Sequence, residues 1–116
     1  MTRPAADGGR RREHQVVVLR GELDIATLAE AAARVEAAEA HEPAVLVIDL
    51  SELSFVDSSG VRLVLLADRR ARDAGRRVAV RLGSGPALRV FHALGIAEKL
   101  DTDTDDGVGG GPGPVA

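Results

Sequence analysis

Three short apolar runs, each followed by a helical signal, constrain this chain more than any other feature. Val16-Val17-Val18-Leu19 is continuous and rich in β-branched residues, and it is bounded by Gly21. Ala44–Leu50 is a second continuous run, opening just after Pro43. Arg77–Leu82 alternates, with Val78, Val80 and Leu82 on one side. Continuous runs of this kind read as strands buried on both faces, and the alternating one as a strand with one drier face. Between the first two lies Ala26–Ala40, with Leu28, Ala31, Ala32 and Val35 on one helical face. Thr27 followed by Glu30 fits a capping box, and Glu30 and Arg34 are spaced for an i,i+4 ion pair. Ser59–Ala74 reads as the second helix, stopped by Gly75, and Pro86 opens a third that runs to about Leu94 before Gly95. Ile96–Leu100 is a short final apolar patch, strand or coil. The order is β-α-β-α-β-α. Crossovers of this length connect parallel strands in a right-handed sense, so the expected class is α/β, with helices covering a mostly parallel sheet.

At 116 residues the chain holds one domain with one modest core. Residues 1–14 carry no apolar periodicity and read as a flexible basic arm, or a weak edge strand near Arg10–His14. Residues 102–116 are mostly Asp, Thr, Gly and Pro and read as a disordered acidic tail. Cysteine is absent, which excludes disulfides and thiolate metal sites and fits a cytoplasmic protein. No apolar stretch approaches the roughly 20 residues of a membrane helix, and nothing before Val16 resembles a secretory signal. A net charge of -3 and only two aromatics, Phe55 and Phe91, argue against nucleic-acid binding. His14, His41 and His92 are not spaced as metal ligands. Asp101-x-Asp103-x-Asp105 fails as a calcium loop, because Asp106 stands where Gly is needed and Pro112 where Glu is needed. The glycines of 107–113 lack the Lys-Ser/Thr end of a phosphate loop. No cofactor or catalytic constellation emerges.

Parallel β-α units place chemistry at the carboxyl ends of strands, beside helix N-termini. Gly21-Glu22-Leu23-Asp24, Phe55-Val56-Asp57-Ser58-Ser59-Gly60 and Gly83-Ser84-Gly85 fall on that edge. Asp57-Ser58-Ser59-Gly60 is the most informative. Its plain reading is a helix cap, since Asp and Ser side-chain oxygens accept from the orphan amides of a first turn. Its functional reading is an exposed serine at a helix start, where the dipole tolerates a phosphate and the added charge changes the surface without melting the helix. A Ser-His-Asp hydrolase would want Gly-x-Ser-x-Gly, which is not present. In the second helix Val61, Leu63, Val64, Leu65, Leu66 and Ala67 are apolar almost all round. That suits a helix buried among its neighbours, or an apolar edge beside Ser59 that docks a partner, with Val61 and Leu65 as candidates.

The sequence resembles the STAS-domain anti-sigma factor antagonist (anti-anti-sigma factor) family over roughly residues 15–100. The resemblance rests on Val16-Val17-Val18-Leu19-Arg20-Gly21-Glu22-Leu23-Asp24, on Val47-Ile48-Asp49-Leu50-Ser51-Glu52-Leu53-Ser54-Phe55-Val56-Asp57-Ser58-Ser59-Gly60-Val61, and on Ala87-Leu88-Arg89-Val90-Phe91-His92-Ala93-Leu94-Gly95-Ile96. It implies the STAS fold for residues 15–101: a mostly parallel or mixed sheet of four to five strands covered by about three to four helices. It implies phosphorylation at Ser59 by a serine kinase that is also the anti-sigma factor and has a histidine-kinase-like ATPase fold, with a PP2C-type phosphatase as the resetting partner. It implies that Asp24 helps kinase recognition or phosphotransfer, with Asp57 flanking the serine; together with the residue-level readings, the candidates for kinase or partner recognition are Glu22, Asp24, Asp57, Ser58, Gly60, Val61 and Leu65. The unphosphorylated protein would bind the anti-sigma factor and free the sigma factor, as a monomeric substrate and binding partner rather than an enzyme. The alternative is a non-switching STAS subunit of a signalling scaffold or lipid-transport complex, which needs the fold but not the second serine. The chain departs from the family in its apolar-poor residues 3–14 and in a C-terminal segment of Asp, Gly and Pro where a further amphipathic helix is usual.

Overall fold

A computed structural model describes residues 14–103 of the chain. The elements run β1 His14–Leu23, α1 Leu28–Glu39, β2 Val45–Val56, α2 Ser58–Asp73, β3 Arg77–Arg81, α3 Pro86–Ala93, a 3-10 turn Ala97–Lys99, and β4 Asp101–Thr102. The four strands form one sheet in the order β1-β2-β3-β4, every pairing parallel. Each crossover steps the same way along that sheet, so right-handed connections deliver the helices to one face. The packing agrees. Leu46, Ile48, Leu50, Val78 and Val80 share a single core with Ala31 and Val35 of α1, Val64 and Ala67 of α2, and Ala87 and Phe91 of α3.

The opposite face is built differently. Val47 and Ala79 are buried there, but they stand outside the main core, and their row continues across the sheet to Asp101. Asp49, the buried charged residue of the described chain, accepts from the amide and hydroxyl of Ser51 at 2.9 and 2.6 Å. Arg81 lies 3.7 Å from Asp49 and donates to Asp103 at 2.7 Å, and Arg77 donates to Asp101 at 3.0 Å. These ion pairs hold the two-residue β4 against β3. Sequence reading ends the domain at 101 and starts a tail at 102. Thr102 instead pairs with Val80, and the Asp103 amide donates to the Val80 carbonyl. The arm at 1–13, including most of the weak strand expected near Arg10–His14, and the tail from 104 onward lie outside the described residues.

β1 and β2 extend well past their apolar runs, to Leu23 and Val56 rather than Arg20 and Leu50. The register shifts twice, between Val18 and Arg20 and between Gly21 and Glu22, each time with one more residue on β2 than on β1. These bulges change the inward period: beyond Leu50 the buried residues of β2 are Leu53 and Val56, three apart instead of two. Two-residue alternation fails there, which is why pattern reading stops early. Gly21, at φ +78°, supplies the left-handed backbone at the second shift.

β3 is drier than its alternation suggests, with Val78, Ala79 and Val80 all buried. The last patch, 96–100, is a 3-10 turn that buries Leu100 rather than a strand. Gly75 and Gly95 end α2 and α3 as expected. Each takes a positive φ, and the next amide reaches back to the helix, Arg76 to Ala71 at 2.7 Å and Ile96 to Phe91 at 3.1 Å. The start of α1 differs from expectation. Thr27 makes no side-chain cap, and Arg34 donates to the Val18 carbonyl at 2.7 Å instead of pairing with Glu30.

Candidate functional site

The two bulged strands end side by side, and their ends carry the site. The Asp57 amide donates to the Leu23 carbonyl at 3.2 Å, which ties the β2–α2 corner to the end of β1. α2 begins at once. Asp57 is its N-cap, with an extended backbone and a carboxylate Oδ1 that accepts from the Ser59 amide at 2.9 Å. The amides of Gly60 and Val61 donate to the Asp57 carbonyl at 3.0 and 3.2 Å. Ser58 and Ser59 are thus the first two residues of the helix, Ser58 exposed and Ser59 half-buried.

Gly60 shows how tightly the corner is seated. A Cβ at this position would lie 2.7 Å from both Cγ and Cδ2 of Leu23 and 2.8 Å from Cγ2 of Val56. The helix start rests directly on the ends of β1 and β2, and only a residue without a side chain permits that approach.

Asp24 stands in the β1–α1 loop, next in sequence to the Leu23 carbonyl that holds Asp57. Its Oδ1 accepts from the amides of Ala26 and Thr27 at 3.0 and 3.1 Å, and its own amide donates to the Thr27 hydroxyl at 3.1 Å. Thr27 in turn donates to the Glu22 carbonyl at 2.8 Å. The loop is therefore locked by its own side chains in an Asx-type turn. The Asp24 carboxylate shapes this loop and adds negative charge beside the corner.

An open groove of about 750 Å³ runs between α1 and α2, with Ser58 and Ser59 at its lining and Ile25 from the locked loop. Its walls are mostly apolar. Ile25 is 77% exposed, Leu66 44% and Leu65 37%, so three of the larger exposed aliphatic residues line one depression. Sequence reading named Leu65 as a docking candidate, placed Leu66 only in the apolar run around it, and missed Ile25. The available signal for Ile25 was a large aliphatic residue in a polar loop after a strand. Val61, the other docking candidate, points inward at 5% exposure and joins the core. Glu22 is set apart from the serines, against a smaller depression of about 270 Å³ with Arg20, Glu30 and Arg34. Of the expected recognition residues, Asp57, Ser58 and Gly60 meet at the corner with Ser59, Asp24 flanks it, Leu65 lines the groove, Val61 contributes to the groove's floor from its buried position, and Glu22 faces a separate depression.

Among the described residues no group of three His, Asp or Glu is placed to hold a metal ion, and no helix is long and apolar enough to cross a membrane.

Comparison with known proteins places this geometry. Residues 8–101 match the family described as Mlab, STAS domain. No curated protein is found to match the chain by sequence. Among solved structures, an anti-sigma factor antagonist from Mycobacterium paratuberculosis is 27% identical with a TM-score of 0.69, over 78% of this chain and 76% of that one. The anti-sigma factor antagonist SpoIIAA in its unphosphorylated form is 29% identical with a TM-score of 0.66, over 82% of this chain and 84% of that one. The Bacillus cell fate determinant SpoIIAA in the phosphorylated form is also 29% identical, with a TM-score of 0.61, over 82% and 86%.

Proposed function

The chain belongs to the STAS-domain family, and we propose that it is an anti-sigma factor antagonist switched by phosphorylation of Ser59. The observation that carries this reading is the Asp57–Gly60 corner, which presents Ser59 in the first turn of α2 beside an apolar groove. Structural likeness to anti-sigma factor antagonists, one of them in a phosphorylated form, supports it.

The chemistry fits the corner. A kinase needs the acceptor hydroxyl held in line with the γ-phosphate of ATP. Ser59 Oγ attacks the γ-phosphorus, the bond to the leaving ADP oxygen breaks, and the hydroxyl proton passes to a base of the kinase. A seated helix start with its amide fixed by Asp57 gives the acceptor a defined position. In the unmodified protein, Ile25, Leu65 and Leu66 offer an apolar face to the anti-sigma factor. Phosphorylation puts about -1.5 to -2 charge at the edge of that face, next to Asp57 and Asp24. Like-charge repulsion and loss of desolvated contact then weaken binding, and a change of ~3–4 kcal/mol corresponds to several hundred-fold in affinity.

In this reading the partner is an anti-sigma factor serine kinase with a histidine-kinase-like ATPase fold, and a PP2C-type phosphatase resets the switch. The protein itself is a cytoplasmic monomer without catalytic activity. The test is a capture experiment from host lysate with wild type, Ser59→Ala and Ser59→Asp as baits, followed by mass spectrometry. Wild type and Ser59→Ala retain a histidine-kinase-like ATPase and Ser59→Asp loses it. Capture of one non-kinase assembly by all three baits, or of nothing, would overturn the switch. A shared assembly would favour a non-switching subunit of a signalling scaffold or lipid-transport complex.

A further inference from the structure

We propose that Arg62 is the internal counterion of phosphorylated Ser59, so that modification withdraws a free cation from the groove while adding a phosphate to it. The inference rests on the reading of Ser59 as the acceptor.

Two arginines line the groove, Arg62 and Arg70. Arg70 is held by Glu39, with Nε and Nη2 donating to Oε2 at 3.1 and 2.9 Å. Arg62 is exposed and, among the described residues, makes no ion pair or side-chain hydrogen bond. It follows Ser59 by three residues on α2, and both line the same groove. Residues so spaced are neighbours on a helix surface, with Cβ atoms about 5–6 Å apart. Long side chains on a helix lean toward its N-terminus, so an arginine at position 62 has the first turn within its reach.

The phosphate would need this donor. The Ser59 amide is already taken by Asp57, and the amides of Gly60 and Val61 by the Asp57 carbonyl. With Arg70 engaged by Glu39, the remaining charged groups around the position are acidic: Asp57 at the cap, Asp24 in the β1–α1 loop and Glu36 of α1 across the groove. A guanidinium offers a planar pair of N–H donors that matches two phosphate oxygens. Before modification Arg62 is available to a partner, and after it the arginine is turned back onto its own helix.

The test installs phosphoserine at position 59 of the full chain by genetic encoding, so neither kinase nor partner is involved. The second ionisation of the phosphate is followed by phosphorus NMR at low ionic strength, where screening is weak. Arg62 favours the dianion. In Arg62→Gln the apparent pKa therefore rises by roughly 0.3 or more, a two-fold change in proton affinity. Arg62→Lys recovers part of the shift. Arg69→Gln, about 15 Å from Ser59 along the helix axis, leaves the value at that of wild type. A pKa in Arg62→Gln within about 0.1 of wild type, or an equal rise in Arg69→Gln, would overturn the assignment. The capture experiment reports on the acceptor role of Ser59 independently of this result.

Discussion

Replacing Gly60 by alanine tests the seating of the site with the smallest possible probe. The new methyl would lie 2.7–2.8 Å from Leu23 and Val56, which are themselves buried at 1% and 4% exposure. Neither neighbour is a flexible side chain that can swing into solvent. Forcing an extra carbon into a packed site costs about 1–3 kcal/mol. Alanine returns up to about 1 kcal/mol through helix propensity, and less in a first turn. The expected net loss is about 1–2 kcal/mol, or a Tm lower by about 4–16 °C for a domain of this size. Urea unfolding with circular dichroism measures it, and Gly60→Ala/Leu23→Ala supplies the decisive comparison. Leu23→Ala alone removes core packing and costs about 2–5 kcal/mol. In the double variant the space vacated by Leu23 accepts the new methyl, so the loss falls short of the sum by about 1 kcal/mol. Strict additivity, or a Gly60→Ala protein as stable as wild type, would refute the argument that the helix start rests on the strand ends.

Other substitutions separate stability from function. Asp57→Ala removes the acceptor of the Ser59 amide and lowers stability by about 1 kcal/mol in urea unfolding, whereas Asp57→Asn, which still caps, loses only a few tenths. Ile25→Ser and Leu66→Ser alter exposed positions of the groove and leave stability within about 0.5 kcal/mol, yet weaken capture of the anti-sigma factor in the bait assay. Asp49→Ala strips the acceptor from the Ser51 amide and hydroxyl and costs about 1–3 kcal/mol in urea unfolding, while Asp49→Leu is no milder because the Ser51 donors lose that acceptor all the same. Gly75→Ala, at φ +77° with open space around it, costs about 1–2 kcal/mol through backbone strain alone, and Gly75→Asn costs less; the pair is read by thermal unfolding.

Which parts of this chain are legible without coordinates follows from the range of the interactions involved. Pro86, Gly75 and Gly95 mark helix ends through the φ angles their own backbones allow, so they read correctly. Thr27 and Asp24 compete for one local role, and the sequence pattern favours Thr27 as the capping side chain. In the folded loop Asp24 takes the amides while Thr27 turns back to the Glu22 carbonyl of β1. That outcome depends on where β1 ends, which depends in turn on the bulges. The charge ladder of Arg77, Arg81, Asp101 and Asp103 was visible only as scattered charges, because its pairing needs β4 beside β3.

The order of elements from β1 to α3 and the capped serine corner are properties of the sequence alone, because buried runs, caps and stops are decided within a few residues of each other. Tertiary structure alone decides what surrounds the serine. Glu22 turns to a separate depression, Val61 sinks into the floor of the groove, Ile25 and Leu66 come forward, and Arg62 has no ion-pair partner among the described residues. The physical reason is register. One extra residue in a strand exchanges its faces, and β2 carries two such shifts against β1 before it reaches Asp57. The direction of each side chain at the site is therefore set by a pairing between segments about thirty residues apart, which no local pattern encodes.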